Sequence, residues 1–243
     1  MKNKTLIFNW KMNPLTAEEA VDLASASDYK NVVIAPPFIF LNEIGKLFKN
    51  AKLGAQDLYW EEKGAFTGEV SAKQLAEAGV SYAIIGHSER RHKMGETDGM
   101  TAKKVLAAIK NNLTAVLCIG ETEQERAEGK TNQILERQLV NGLSLAKAEG
   151  ILNDSNLLIA YEPVWAIGTG KAQTAEGAME TSAFIKSLLK KEIDMDIRVL
   201  YGGSVTSQNL GEFLGYNEIS GALVGGASLK KDEVKKMAEI IEK

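Results

Sequence analysis

The chain has 243 residues, of which 44% are hydrophobic and 25% charged, and this is the composition of an ordinary soluble globular protein. Its net charge of −3 argues against a nucleic-acid-binding surface, which is normally basic. The single cysteine, Cys118, excludes an intrachain disulfide, and no apolar run is long enough for a signal peptide or for the roughly 18 residues of a membrane span. We therefore expect a cytoplasmic protein that binds neither nucleic acid nor membrane.

Short apolar runs recur along the chain, and each is followed by a turn and then by a helical pattern. The runs are residues 5–9, 32–35, 52–55, 82–86, 115–119, 157–161, 197–201 and 222–224, and the clearest amphipathic stretches are 16–27, 97–111, 131–149 and 174–191. Strands that alternate with helices predict a parallel sheet. About eight such units in a chain of this length indicate a closed (β/α)8 barrel, whose usual length is about 250 residues.

An open, doubly wound α/β sheet is the structural alternative. Such a sheet more often carries a glycine-rich turn after its first strand, and residues 9–13 (NWKMN) contain no glycine. The chain also lacks a Pro/Gly/Ser-rich linker, a low-complexity tract or an abrupt change in charge. We therefore predict one domain, residues 1–243, with eight parallel strands inside a ring of helices.

A barrel of this type carries its functional groups on the loops that follow the strands. Reading only those positions gives Asn9, Lys11, His87 and Glu162, together with the glycine pairs at 202–203 and 225–226. Glu162 ends an apolar run, and Pro163 prevents a helix from starting there. The segment that follows, 164–170, is uncharged and contains two glycines, so we interpret Glu162 as a base under a lid. A plain strand-to-helix connection is the alternative.

The residues around His87 indicate a neutral hydrogen-bond donor. Ser88 is placed to cap a short helix, whose positive end would disfavour the imidazolium form of His87. A structural histidine bonded to the backbone is the alternative. Lys11 would be a fixed cation at the mouth of the first strand, unless it is a surface lysine, and Glu89 could pair with it.

The glycine pairs in YGGSV (201–205) and VGGASL (224–229) leave backbone N–H groups free for an anion. Either pair alone would usually be a turn, but after strands seven and eight of a barrel they predict a phosphate site. Two histidines and one cysteine do not make a zinc site, and we predict neither metal nor cofactor. Cys118 is most simply a small buried side chain, with a reactive thiol as the alternative.

The connection from Asp57 to Val70 is longer than a barrel needs, and it contains aromatic residues and an apolar tip at Phe66. Such a loop either packs over its own barrel or inserts into a partner subunit. We favour the partner.

Eight motifs together resemble the triosephosphate isomerase family from the first strand to the last. They are NWKMN (9–13), GAQD (54–57), GAFTGEVS (64–71), IIGHSERR (84–91), CIGET (118–122), YEPVWAIGTGK (161–171), YGGSV (201–205) and GALVGGASL (221–229). The resemblance implies a TIM barrel that interconverts dihydroxyacetone phosphate and D-glyceraldehyde 3-phosphate through an enediol(ate), a step of glycolysis and gluconeogenesis. The alternatives are another sugar-phosphate isomerase or epimerase, or a non-catalytic binding barrel.

The same resemblance implies a role for each matching position. Glu162 is the base, and His87 is the neutral electrophile. Lys11 and Asn9 stabilise the enediolate, and Glu89 is the acidic residue that pairs with Lys11. Phosphate donors are Gly168, Ser204, Gly225 and Gly226. The lid runs from Pro163 to Lys171 and includes Trp165 and Ile167, Tyr201 latches it, and Thr67 enters the neighbouring subunit of a homodimer. Gln173, at the far hinge of the lid, is larger than the residue we would expect there.

Overall fold

The computed structural model describes residues 4–167 and 173–242. Within these ranges eight parallel strands pair in chain order and close, with the first beside the last. The strands are β1 (Thr5–Asn9), β2 (Val32–Ala35), β3 (Lys52–Ala55), β4 (Tyr82–Ile85), β5 (Thr114–Ile119), β6 (Leu157–Tyr161), β7 (Val199–Tyr201) and β8 (Gly221–Val224). The predicted (β/α)8 barrel is confirmed, and the ends of each strand lie within two residues of the predicted ones.

Helices follow the strands and surround the barrel. Their bounds are α1 (Ala17–Ser25), α2 (Leu41–Ile44), α3 (Ala72–Glu77), α4 (Ser88–Lys93), α5 (Asp98–Lys110), α6 (Glu123–Ala127), α7 (Thr131–Ala148), α8 (Ala175–Ile193), α9 (Leu210–Leu214) and α10 (Lys231–Glu242). Local sequence explains several starts, since Thr16, Ser71 and Thr122 each form a capping box with a Glu or Gln three residues on. None of the helices in the described ranges has the length and apolar character needed to cross a membrane.

The alternation of side chains along each strand separates two apolar layers. Ile7, Leu158 and Ala160 belong to a cluster inside the barrel, whereas Leu6 and Phe8 belong to the larger layer between the strands and the helices. Because the strand period is two, the inward-facing set of β1 continues to Asn9, and that of β6 continues to Glu162. The polar groups of the barrel mouth therefore extend the same rows that fill its interior.

The 57–70 loop is packed at its base, where Trp60 lies against the core, and is exposed over residues 61–69. Its base is held by a short parallel bridge between Tyr59 and Ser71, and by the Tyr59 ring, which stacks on Trp60 and lies 4.9 Å from Phe66. The tip, including Phe66 and Thr67, is exposed. The loop is thus braced at its base and projects from the barrel.

Candidate active site

A cavity of about 360 Å³ opens at the carboxyl ends of the strands. Residues that line it come from the ends of β1, β4, β6, β7 and β8, namely Asn9, Lys11, His87, Glu162, Ile167, Gly202, Gly203, Ser204, Gly225 and Gly226, among others. The barrel therefore brings Asn9, Lys11, His87 and Glu162 to one cavity, although up to 153 positions separate Asn9 from Glu162 in the sequence.

Glu162 is almost fully buried, and both its carboxylate oxygens have partners. Oε1 lies 3.0 Å from Nε2 of His87, and Oε2 accepts the backbone N–H of Ser88 at 2.9 Å. Gly202 leaves room for this side chain, since a Cβ there would lie 2.9 Å from Cγ of Glu162. The carboxylate thus rests against the amino-terminal end of α4, where two N–H donors stabilise its charge.

His87, and not Ser88, is the residue that caps α4, so the expectation for Ser88 was wrong. Nδ1 of His87 accepts the backbone N–H of Glu89 at 3.2 Å, and Ser88 is the first helical residue. The N–H of Ser88 is one of the donors that a helix start leaves without an intrahelical partner, and Glu162 satisfies it. Because Nδ1 is an acceptor, the proton of a neutral His87 sits on Nε2 and points at Glu162.

The charge state of His87 depends on Glu162. Burial works to lower the pKa of His87, but the adjoining carboxylate of Glu162 outweighs burial and raises this pKa above its ordinary value. When Glu162 moves away from His87, the main cause of the raised pKa is lost. Burial and the N–H of Glu89 then favour the neutral imidazole, and the Glu89 carboxylate, 3.8 Å from Nδ1, is the remaining group that raises the pKa.

Lys11 is held at the cavity by its backbone as well as by its charge. Its φ of 54° lies in the left-handed region, where a lysine is strained. Oδ1 of Asn9 accepts the N–H of Lys11 at 3.0 Å, and Nε2 of Gln56 donates to its carbonyl oxygen at 2.7 Å. Nζ lies 2.8 Å from Oε1 of Glu89, the predicted partner. Burial works to raise the pKa of Glu89, but the adjacent positive charges, that of Lys11 first, outweigh burial and lower that pKa.

The two glycine motifs form another part of the cavity wall, and Gly225 lies beside the Lys11 side chain. Ser204, Gly225 and Gly226 line the cavity, and a 3-10 turn begins at Gly226 and runs to Leu229. Its position after strands seven and eight is the one at which barrels commonly bind phosphate. Gly168, the remaining predicted phosphate donor, lies outside the described residues.

The near end of the lid is fixed by a carboxylate that the sequence analysis missed. Glu121, on the connection after β5, is fully buried, and its Oε1 accepts Nε1–H of Trp165 at 3.0 Å and the hydroxyl of Tyr161 at 3.3 Å. The guanidinium of Arg126 stacks over the Trp165 ring, 4.3 Å from its centroid. The signal that could have revealed Glu121 is its position, since it too follows a strand end of the barrel.

The rest of the lid is described only in part. Pro163 precedes a 3-10 turn at Val164–Ala166, and Ile167 lines the cavity. The hydroxyl of Tyr201 accepts the backbone N–H of Gln173 at 3.3 Å, which is a contact suited to a latch at the far hinge. Residues 168–172 lie outside the described ranges.

The fold and the cavity define a class: a (β/α)8 barrel with a polar cavity at the carboxyl ends of its strands. A sequence model of the triosephosphate isomerase family matches residues 4–242. The triosephosphate isomerase of Dictyoglomus thermophilum is 43% identical over 242 residues, with coverage of 95% of this chain and 96% of that protein. Those of Thermoanaerobacter sp. and Geotalea uraniireducens are 44% and 45% identical, and they cover 98% and 96% of this chain and 99% and 96% of their own lengths. The chain belongs to the triosephosphate isomerase family, an isomerase family, as the sequence motifs indicated.

Proposed function

We propose that this chain interconverts dihydroxyacetone phosphate and D-glyceraldehyde 3-phosphate, with Glu162 as the single base, as a cytoplasmic step of glycolysis and gluconeogenesis. One observation carries the assignment of roles: the Glu162 carboxylate lies 3.0 Å from Nε2 of His87 in a cavity that Lys11 also lines. A carboxylate, an imidazole and an ammonium around a space of about 360 Å³ suit a small, negatively charged substrate.

The reaction needs a base and an oxyanion site together. A proton next to a carbonyl group is only weakly acidic, so negative charge on the oxygen must be stabilised while Glu162 removes that proton. Once released from Glu162, Nε2–H of His87 donates to the substrate oxygens, and Lys11 and Asn9 supply the positive charge and a further polar group beside them. Glu162 then returns the proton to the neighbouring carbon, which completes the isomerisation.

The arrangement without substrate is a resting state that binding has to open. Glu162 gives up its contacts with His87 and Ser88 in order to face the substrate carbon, and this frees Nε2–H of His87 for the substrate oxygen. His87 then acts as the neutral donor, because the carboxylate that raises its pKa has moved away. One exchange of partners therefore activates both groups.

The lid and the glycine motifs complete the proposal. Ser204, Gly225 and Gly226, with Gly168 from the lid, bind the phosphate. Closure of residues 163–171 places Ile167 over the substrate, and Trp165 and Tyr201 hold the two ends of the lid. Exclusion of water protects the enediolate, which would otherwise lose its phosphate group.

Glu162→Gln tests the role of the base. We expect turnover in a coupled assay with dihydroxyacetone phosphate to fall by about 10²–10⁴-fold, while a phosphate-bearing enediolate mimic still binds. Glu180→Gln, an exposed change on α8, is the matched control and should leave turnover unaltered. Near-normal turnover of Glu162→Gln would remove Glu162 from its role. A wild-type chain that is silent with this substrate would instead favour another sugar-phosphate reaction or a binding barrel.

We also propose a homodimer formed through the 57–70 loop, with Thr67 at the tip that enters the partner. Besides Phe66 at the tip, other large apolar side chains are exposed, and they include Met12, Phe38, Ile39 and Met94. A second cavity of about 270 Å³, lined by Lys11, His87, Glu89 and some of these apolar residues, offers the receiving surface. An exposed apolar group of this kind is typical of a surface that another chain covers.

Sedimentation velocity tests the dimer. We expect the wild type to sediment as a dimer and Thr67→Arg to shift the equilibrium towards monomer, because a charged side chain would enter an apolar interface. Ser144→Arg, an exposed change on α7, adds the same charge away from the loop and should leave the dimer intact. A monomeric wild type at assay concentrations would contradict the proposal.

A further inference from the structure

Helix α7 contacts the connection that follows β5 through a buried side chain, Gln138. Gln138 is 3% exposed, and its amide makes two hydrogen bonds to a single residue, Gly120. Oε1 accepts the Gly120 N–H at 2.8 Å, and Nε2 donates to the Gly120 carbonyl oxygen at 3.2 Å. One side chain therefore satisfies both backbone polar groups of a buried glycine that directly follows β5.

Gly120 lies against the backbone of Glu162. A Cβ on Gly120 would lie 1.7 Å from the carbonyl oxygen of Glu162, so the two backbones are in direct contact and only glycine fits. The residue on each side of Gly120 accepts a backbone hydrogen bond from this region: Ile119 from the N–H of Glu162 at 2.8 Å, and Glu121 from that of Val164 at 3.0 Å. The position of the Gly120 peptide thus sets the position of the backbone that carries Glu162.

The same connection also holds the start of the lid. The Glu121 side chain accepts the indole N–H of Trp165 at 3.0 Å, and Glu121 adjoins Gly120 in the chain. A shift of the Gly120 peptide would therefore move the base and the lid anchor together.

We propose that Gln138 is a positioning residue for the reaction: it fixes the Gly120 peptide on α7 and thereby places the backbone of Glu162 and the near end of the lid. This inference rests on the proposed role of Glu162 as the base. Gln138 itself does not line the cavity among the described residues and acts only through Gly120. Its role is to transmit the rigidity of an 18-residue helix to a short connection.

Gln138→Leu removes both hydrogen bonds and keeps a side chain of similar volume. Gly120 then has a buried N–H and a buried carbonyl oxygen without these partners, so the connection should shift to find others. A misplacement of about 1 Å in a catalytic group can lower a rate by about a hundredfold, and we expect kcat to fall by roughly ten- to a hundredfold. Gln138→Glu keeps an acceptor for the Gly120 N–H but, when ionised, has no donor for its carbonyl oxygen, and should give a smaller loss.

Binding at the phosphate end separates positioning from general damage. The residues around Ser204 and Gly225 are carried by strands seven and eight, so the affinity for inorganic phosphate as an inhibitor should stay within about twofold in Gln138→Leu. KM should likewise change less than kcat, since a misplaced base affects the transition state more than ground-state binding.

Leu139→Ala is the matched control, since Leu139 is fully buried on the same helix and its truncation leaves the Gln138 amide in place. Assays are run below the unfolding transition of every variant. A kcat for Gln138→Leu within twofold of wild type, or an equal loss in Leu139→Ala, overturns the inference. If Gln138→Leu does not fold, Gln138→Met, which also removes both hydrogen bonds, decides in the same way, with a kcat within twofold of wild type overturning it. An inactive wild type or an active Glu162→Gln would instead count against the proposed function.

Discussion

A buried ion cluster behind α4 gives the sharpest test of how the His87 loop is supported. Lys104 of α5 is 2% exposed, and its Nζ lies 2.6 Å from Oδ1 of Asp57 and 2.5 Å from Oε2 of Glu96. Nε of Arg90 lies 2.8 Å from a carboxylate oxygen of each acid. Oε1 of Glu96 accepts the N–H of Gly86, the residue before His87. Two cations thus balance two buried carboxylates, one of which fixes the backbone at His87.

Lys104→Met removes one cation and leaves Arg90 to face both carboxylates. Removal of one partner from a buried ion pair costs about 3–5 kcal/mol of unfolding free energy, because a buried charge is left uncompensated. Burial already raises the pKa of Asp57, and the loss of Lys104 raises it further. A carboxyl group whose folded-state pKa is raised favours the folded state at low pH and disfavours it as pH rises through that pKa. The loss should therefore be about 3 kcal/mol or more at pH 8 and smaller at pH 5.

Lys110→Met on the same helix is the matched control. The ion pair of Lys110 with Glu149 is as short, at 2.7 Å, but both side chains are about half exposed, so its loss should cost no more than about 1 kcal/mol. Urea unfolding is measured at one protein concentration, since dimerisation would make stability depend on concentration. The reasoning is refuted if Lys104→Met costs no more than Lys110→Met, or if its deficit is larger at pH 5 than at pH 8.

Two further predictions concern the cavity. Glu162 is the main reason that the pKa of His87 is raised, so Glu162→Gln should lower this pKa. NMR titration can follow the change because the chain has only two histidines. An unchanged pKa of His87 would contradict the assignment. Lys11 is paired with Glu89, whereas Lys230 lines the same cavity and is exposed. Lys230→Gln should therefore weaken attraction of the anionic substrate and lower kcat/KM about two- to fivefold at low ionic strength and much less in about 1 M salt. Stopped-flow or steady-state assays across a salt series measure the ratio, and a ratio independent of salt would exclude this electrostatic effect.

Local sequence was sufficient for the framework of the site. The alternation of apolar runs with helical patterns predicted the closed barrel. A parallel strand buried on both faces is a short continuous apolar run, whereas an amphipathic helix repeats its apolar residues about every 3.6 positions, so the two can be told apart in the sequence. The barrel in turn placed Asn9, Lys11, His87 and Glu162 at one end, since the residues that follow parallel strands all meet at the carboxyl edge. The pairing of Lys11 with Glu89 was also anticipated, from their positions after the first and fourth strands.

Other parts of the site depend on how helices pack on strands. The cap of α4 is His87 and not Ser88, because Nδ1 of His87 accepts the N–H of Glu89. The N–H of Ser88 is bound instead by Glu162, a residue 74 positions away. The bond between Trp165 and Glu121 joins residues 44 positions apart and left no periodic signal in the sequence.

The sequence by itself determined which groups stand at the ends of the strands, because strand order and side-chain alternation follow from local periodicity. Only the tertiary structure decided which contacts fix the positions of those groups. They are the hydrogen bonds of Gln138 to Gly120 and the ion pairs of Lys104 with Asp57 and Glu96. These contacts join segments whose distance and orientation are fixed by packing of the whole core. The sequence shows that Gln138 and Lys104 are polar, but their hydrogen-bond and ion-pair partners, and therefore their structural roles, can be identified only in the folded protein.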